Sequence, residues 1–250
     1  MRIRLAFLLL LLSASARAET TLQMDIVVFL QPSWVANRDQ ASWPLRERPE
    51  VPFVLPQDAA SQGLLEWLPG DSSGIAAEAA KLDAQGYRPL YQASFRFAQT
   101  RLSRAQTFAI QEGEPFVVEA TSPYVSDADF AGEWADADAG QELEPESLTP
   151  LSGWARAWVD TYLFVEFDIA WMIADPARRA EVLEARALDG FYSGQFGPPQ
   201  PARYDALPMD IWPREAVQML RIAERKRVRL NEIHYFDHPR LGILVRVSEP

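Results

Sequence analysis

Arg225, Arg227 and Arg229 stand at every second position, with Val228 and Leu230 between and after them. That spacing predicts an extended strand with one cationic and one apolar face. Guanidinium groups present forked N–H donors that match the two oxygens of a carboxylate. Tyr235 and Phe236 follow at once and offer flat apolar rings of the kind on which sugars pack. A ligand that carries carboxylates is therefore one that the arginines suit. The other reading is that the arginines pair with the protein's own acids on a solvated sheet face.

The same segment predicts a corner. Pro239 fixes its own φ and biases His238 away from helix, Asp237 reads as a turn residue, and Gly242 permits a tight return. Ile243, Val245 and Val247 then alternate as a second strand, so the chain is expected to end in a β-hairpin whose first strand carries the arginines. Glu232, His234, Asp237 and His238 include metal-ligand types, but a hairpin corner is not the helical face of a zinc protease. His234 and His238 are read instead as structural, with ring nitrogens bonded to backbone, and neither metal nor cofactor is expected.

Other chemistries have little to work with. Thiol catalysis is excluded because the chain has no cysteine, and a hydrolytic serine would have only His234 and His238 as partners. No glycine motif for phosphate or dinucleotide binding is present. Glycan cleavage needs paired carboxylates across a cleft, and nothing in the order of the acids singles out such a pair, so hydrolysis stands as an alternative to binding.

The surrounding elements must be made without disulfides. Arg2 and Arg4 precede the apolar run Leu5 to Leu12, and Ala16-Arg-Ala18 completes a secretory leader, so residues 1–18 are expected to be removed. The apolar run is too short to cross a bilayer and no later stretch qualifies, which predicts no membrane anchor. The whole chain carries a net charge of −11, and loss of Arg2, Arg4 and Arg17 makes it more acidic still. Nucleic acid is a poor partner for such a surface. Acids crowd one window from Asp127 through Asp129, Glu133, Asp136, Asp138, Glu142 and Glu144 to Glu146, which reads as a solvated loop.

Along the chain, Met24 to Leu30 predicts a buried strand. Gln31 to Asp71, broken by Pro32, Pro44, Pro49, Pro52, Pro56 and Pro69, predicts an irregular arm pinned by Trp34, Trp43, Phe53 and Trp67, with a turn of helix near Ala59 to Leu65. A helix is expected over Ile75 to Ala84 and stops at Gly86. Strands are expected within Tyr87 to Thr107 and at Phe116 to Glu119, followed by a meander turning near Asp160 in which Phe164, Glu166 and Asp168 alternate with Leu163, Val165 and Phe167. A second helix over Ala177 to Leu188 ends at Gly190, and Gly194 to Pro213 reads as a proline-rich connection. The expected class is α+β, a single domain over residues 19–250 with a mainly antiparallel β-sheet, a few isolated helices and a C-terminal β-hairpin.

The run Arg225-x-Arg227-x-Arg229-Leu-Asn-Glu-Ile-His-Tyr-Phe-Asp-His-Pro-Arg-Leu-Gly-Ile-Leu-Val245 resembles the C-terminal signature of the CsiV family of bacterial periplasmic peptidoglycan-binding proteins. Asp25-Ile-Val-Val-Phe29, Leu82…Gly86-Tyr87-Arg88…Leu90 and Leu151-Ser-Gly153…Thr161-Tyr-Leu-Phe-Val165 are weaker echoes of it. The resemblance implies a periplasmic protein with peptidoglycan as ligand. It implies support of cell-wall assembly and cell shape alongside bifunctional penicillin-binding synthases, not bond making or breaking. On that ligand, Arg225, Arg227, Arg229, Tyr235 and Phe236 are the expected contacts. A protein-interaction module of the envelope, whose basic hairpin docks an acidic partner without touching glycan, is the competing class.

Overall fold

The computed structural model describes residues 21–32, 65–68, 73–120, 144–196 and 208–250. The leader, most of the proline-rich arm and most of the acidic window lie outside those residues. So do much of the connection from Gly194 to Pro213 and the helical turn expected near Ala59 to Leu65, except for Leu65 itself, which opens a strand instead.

The run that predicts a buried strand forms β1, Thr21–Leu30, and is covered almost throughout. It sits in the middle of a five-stranded sheet ordered β11-β12-β1-β3-β2, in which β2 is Leu65–Leu68, β3 Arg88–Ala98, β11 Ile233–Asp237 and β12 Leu241–Ser248. A central strand has no solvated face or edge, which is why β-branched and aromatic residues fill it. The second sheet is ordered β10-β8-β7-β4, from β4 Thr107–Glu112, β7 Leu151–Val159, β8 Leu163–Ala174 and β10 Val217–Val228. Every pairing within these two sheets is antiparallel.

Alternation along each strand decides what lies between the sheets. Met24, Ile26 and Val28 of β1 and Ile243 and Val245 of β12 share one buried cluster with Val165, Phe167 and Ile169 of β8 and Leu220 and Ile222 of β10. A third, small sheet joins β5 Phe116–Val118, β6 Glu146–Leu148 and β9 Ile211–Trp212, with β5 and β9 parallel. Val118 and Leu148 of that sheet cover Met172 and Met219 on the outer side of the second one.

Two helices complete the described residues. α1, Ala76–Ala84, lays Ala79 with the adjoining Ile75 against Val27 and Phe29 on the outer side of the first sheet. Its chain leaves through Gly86 at φ 85°, a left-handed conformation that glycine adopts without cost from a Cβ. α2, Pro176–Phe196, starts where Asp175 Oδ1 accepts the Ala177 and Arg178 N–H groups at 3.0 and 3.4 Å. It runs through Gly190, so the expected stop there is corrected, since a glycine inside a helix costs only about 1 kcal/mol. Among the described residues no helix is long and apolar enough to cross a membrane.

The C-terminal segment also differs from its expected wiring. The arginines belong to β10, which pairs with β8 in the second sheet, while the terminal hairpin is β11 with β12 in the first. The break falls at residues 229–232, where Asn231 is left-handed at φ 64° and its N–H bonds the Val247 carbonyl at 2.7 Å.

Candidate functional site

The outer face of the second sheet holds most of the side chains that could meet a ligand. Cross-strand register sets them in rows: Trp154, Asp168 and Ala223; then Arg156, Glu166 and Arg225; then Trp158, Phe164 and Arg227. Charge on this face is largely settled within it. Arg221 grips Asp168 through two bonds of 2.8 and 2.9 Å, and Arg156 Nε donates to Glu166 Oε2. The Arg156 guanidinium also lies between the indoles of Trp154 and Trp158, at 5.2 and 5.6 Å from their centroids.

Arg225 and Arg227 remain. Both are exposed on the edge strand β10, and among the described residues neither lies within ion-pair distance of an acid. Glu166, directly opposite Arg225, is already engaged by Arg156. The Arg227 guanidinium lies 3.3 Å from the ring centre of Tyr162, at the turn between β7 and β8. Arg229 falls one residue past the strand, so the shared face predicted for three arginines holds for two. Its side chain is exposed and only loosely paired with Glu232 at 3.5 Å. Val228 is buried as the pattern required, whereas Leu230 lies exposed in the turn. Lys226, on the inner side of β10, bridges to the hairpin by donating to the Tyr235 carbonyl at 2.9 Å, with its ammonium over the Phe236 ring.

The two aromatics expected beside the ladder are elsewhere. Phe236 is fully buried and meets Phe167 edge to face, so its ring is closed to any sugar. Tyr235 points to the outer side of the first sheet, where it stacks on Phe29 at 6.0 Å. Its hydroxyl donates to Asp237 Oδ1 at 2.8 Å and accepts from Gln31 Nε2 at 2.9 Å. Burial, then the Asp237 hydrogen bond and charge, hold its phenol well above the ordinary value. Asp237 is thus a partner of Tyr235 and Gln31, not a cap for His238 and Pro239. Gly242 does not make the return. It lies within β12, where an added Cβ would sit 2.6 Å from the Phe29 ring and 2.9 Å from the Tyr235 ring.

The histidines face backbone. His234 Nε2 accepts the Arg229 N–H at 2.9 Å and His238 Nδ1 accepts the Arg240 N–H at 3.3 Å. An imidazole nitrogen that accepts in this way cannot also act as a base toward a serine. A G-x-S-x-G spacing does occur at Gly70-Asp-Ser-Ser-Gly74, ahead of α1, but Ser72 lies outside the described residues. Among the described residues no group of His, Asp and Glu could hold a metal ion.

A second arginine cluster has a different character. Arg186 of α2 meets both oxygens of Glu119 at 2.9 and 2.7 Å and also Glu215 at 2.6 Å. Arg214 gives Glu119 its N–H at 3.0 Å and reaches Glu146 at 3.1 Å. Burial raises the Glu119 carboxyl, but the Arg186 and Arg214 bonds and the Arg186 charge outweigh it and hold the group below the usual range. The Arg186 guanidinium is pushed up, chiefly by its bond to Glu119. This network ties α2 and the turn at residues 214–216 to the small third sheet.

A family model for "Peptidoglycan-binding protein, CsiV" matches residues 3–250. The chain belongs to the CsiV family. No curated protein matches it. Among solved structures, the secretin domain β-barrel of InvG from the Salmonella SPI-1 injectisome NC-base is similar at 9% identity and a TM-score of 0.34, over 99% of this chain and 68% of that one. The signature segment of this CsiV chain thus serves two faces. Its Arg225 and Arg227 line the outer side of the second sheet, and its Tyr235, Asp237 and Gly242 pack the outer side of the first. Sequence reasoning left Trp154, Arg156, Tyr162 and Phe164 out of the site. The alternation of Trp154, Arg156 and Phe164 was visible, but the register that sets β7 and β8 in rows with β10 was not.

Proposed function

We propose that this chain is a non-catalytic peptidoglycan-binding protein of the periplasm, exported by a leader over residues 1–18 and acting as one domain over residues 19–250. Arg225 and Arg227, with Arg229 beyond them, contact stem-peptide and lactyl carboxylates, and the protein supports cell-wall assembly and cell shape alongside bifunctional penicillin-binding synthases. The observation that carries this reading is a pair of exposed guanidinium groups that make no ion pair among the described residues, in a chain whose net charge is −11. Membership of a peptidoglycan-binding family supports the choice of ligand. Phe236 drops from the proposed contacts because it is buried, and Tyr235 because it serves the opposite face.

Purified mature protein mixed with sacculi tests this directly. Protein should pellet with the sacculi at low salt and release no soluble muropeptides. Release of muropeptides would establish the hydrolase alternative, and absence from the pellet would refute glycan binding. The interaction-module reading is favoured by Leu230 and Ile233, apolar and exposed around the turn that follows the ladder. It predicts retention on an acidic protein partner without retention on sacculi.

A further inference from the structure

Resting on that reading, we infer that Tyr162 and Arg227 form a carboxylate-reading subsite, in which the tyrosine ring positions the guanidinium and so selects free carboxylates of the peptidoglycan over amidated or esterified ones. Tyr162 is 45% exposed and sits at the β7–β8 turn. The Arg227 carbon at the centre of its guanidinium is 3.3 Å from the centre of that ring. Stacking of this kind occupies one face of the guanidinium and leaves its in-plane N–H donors open. A guanidinium held against the ring in this way loses less freedom when it takes a planar carboxylate in a bidentate bond.

Neighbouring groups reinforce the choice. Arg225 is two residues back on the same strand face, roughly 7 Å away at strand pitch, and adds a second positive charge. The acids of this face, Glu166 and Asp168, already hold Arg156 and Arg221, so they neither capture Arg227 nor neutralise an incoming carboxylate's partner. A freely rotating lysine would offer charge without the fork, and an unstacked arginine would lose freedom on binding. Tyr162 is thus a positioning residue, acting through Arg227.

The test compares ordinary sacculi with sacculi whose carboxyls have been blocked as amides, using the parent and the Tyr162→Leu, Tyr162→Phe and Arg227→Lys variants, each checked for unchanged melting temperature. Tyr162→Leu should weaken retention on ordinary sacculi roughly two- to fivefold, the range of an exposed cation–π contact. Tyr162→Phe keeps the stacking ring and should bind as the parent does. Arg227→Lys should lose about as much as Tyr162→Leu or more. On blocked sacculi the parent should weaken and the variants should match it. Equal retention of Tyr162→Leu and the parent on ordinary sacculi would overturn the inference, as would an equal loss on both kinds of sacculi or a loss in Tyr162→Phe. Failure of the parent itself to pellet would instead refute the function on which the inference rests.

Discussion

The arginines of the clasp around Glu119 and those on the edge of β10 are the same chemical group put to opposite uses. Arg186 and Arg214 are surrounded by Glu119, Glu146 and Glu215, at distances down to 2.6 Å, and bind α2 to the third sheet. Arg225 and Arg227 have no such acids among the described residues. A charge that is paired inside the fold contributes to stability and has little left to offer a ligand. An unpaired one on an exposed strand contributes little to stability and keeps its donors available. Separating these two groups of residues by experiment therefore separates folding from binding.

The largest effect should come from a substitution that breaks both at once. Gly153 of β7 lies so close to β8 that an added Cβ would fall 2.2 Å from the Asp168 carbonyl oxygen and 2.6 Å from the Ile169 Cα. Gly153→Ala must push those central strands apart, and it should cost about 3 kcal/mol and weaken sacculus binding too. Chemical denaturation with parallel pelleting would show this. A variant as stable as the parent would mean that the strands slide past each other at little cost.

Arg186→Ala should sharpen the contrast. It leaves Glu119 half-buried without its main partner, which should lower stability by about 2 kcal/mol and the melting temperature by roughly 4 to 8 °C. Retention on sacculi, measured below that temperature, should not change. Glu119→Gln should give a smaller effect, full near neutrality and fading in acid. The folded carboxyl titrates below its ordinary 4.5, so its contribution is fully present above that value and is lost as pH falls through the lower, folded one. The variant should be less stable than the parent near neutrality, and the gap should narrow as pH falls below 4.5, as read from denaturant midpoints across that range.

Much of this arrangement was legible beforehand, where the signal is local. The β-branched and aromatic run of β1 marked a buried strand, alternation in β8 marked its buried face, and Gly86 marked the end of α1. The arginine spacing located a strand but not its sheet, because pairing with β8 instead of β12 depends on residues more than fifty positions away, as between Arg225 and Glu166. One error was avoidable from the sequence. Tyr235 and Phe236 are adjacent on a strand and must face opposite ways, so they could not both flank one ladder. Gly242 misled for a different reason, since the demand on it comes from Phe29, far off in sequence. The length of α2 past Gly190 reflects a small propensity cost that the rest of the helix outweighs.

The most direct test of the account is sacculus pelleting by three proteins, the parent, Arg225→Ala/Arg227→Ala/Arg229→Ala and Arg186→Ala, over a series of salt concentrations. Each exposed guanidinium–carboxylate contact is worth roughly 0.2 to 1 kcal/mol, so the triple variant should bind several-fold more weakly at low salt while melting as the parent does. Added salt should bring the parent down to the level of the triple variant, because these charges are screened over about 8 Å at physiological ionic strength. Arg186→Ala should follow the parent at every salt concentration. A folded triple variant that pellets as well as the parent at low salt would contradict the account and place the ligand on another face.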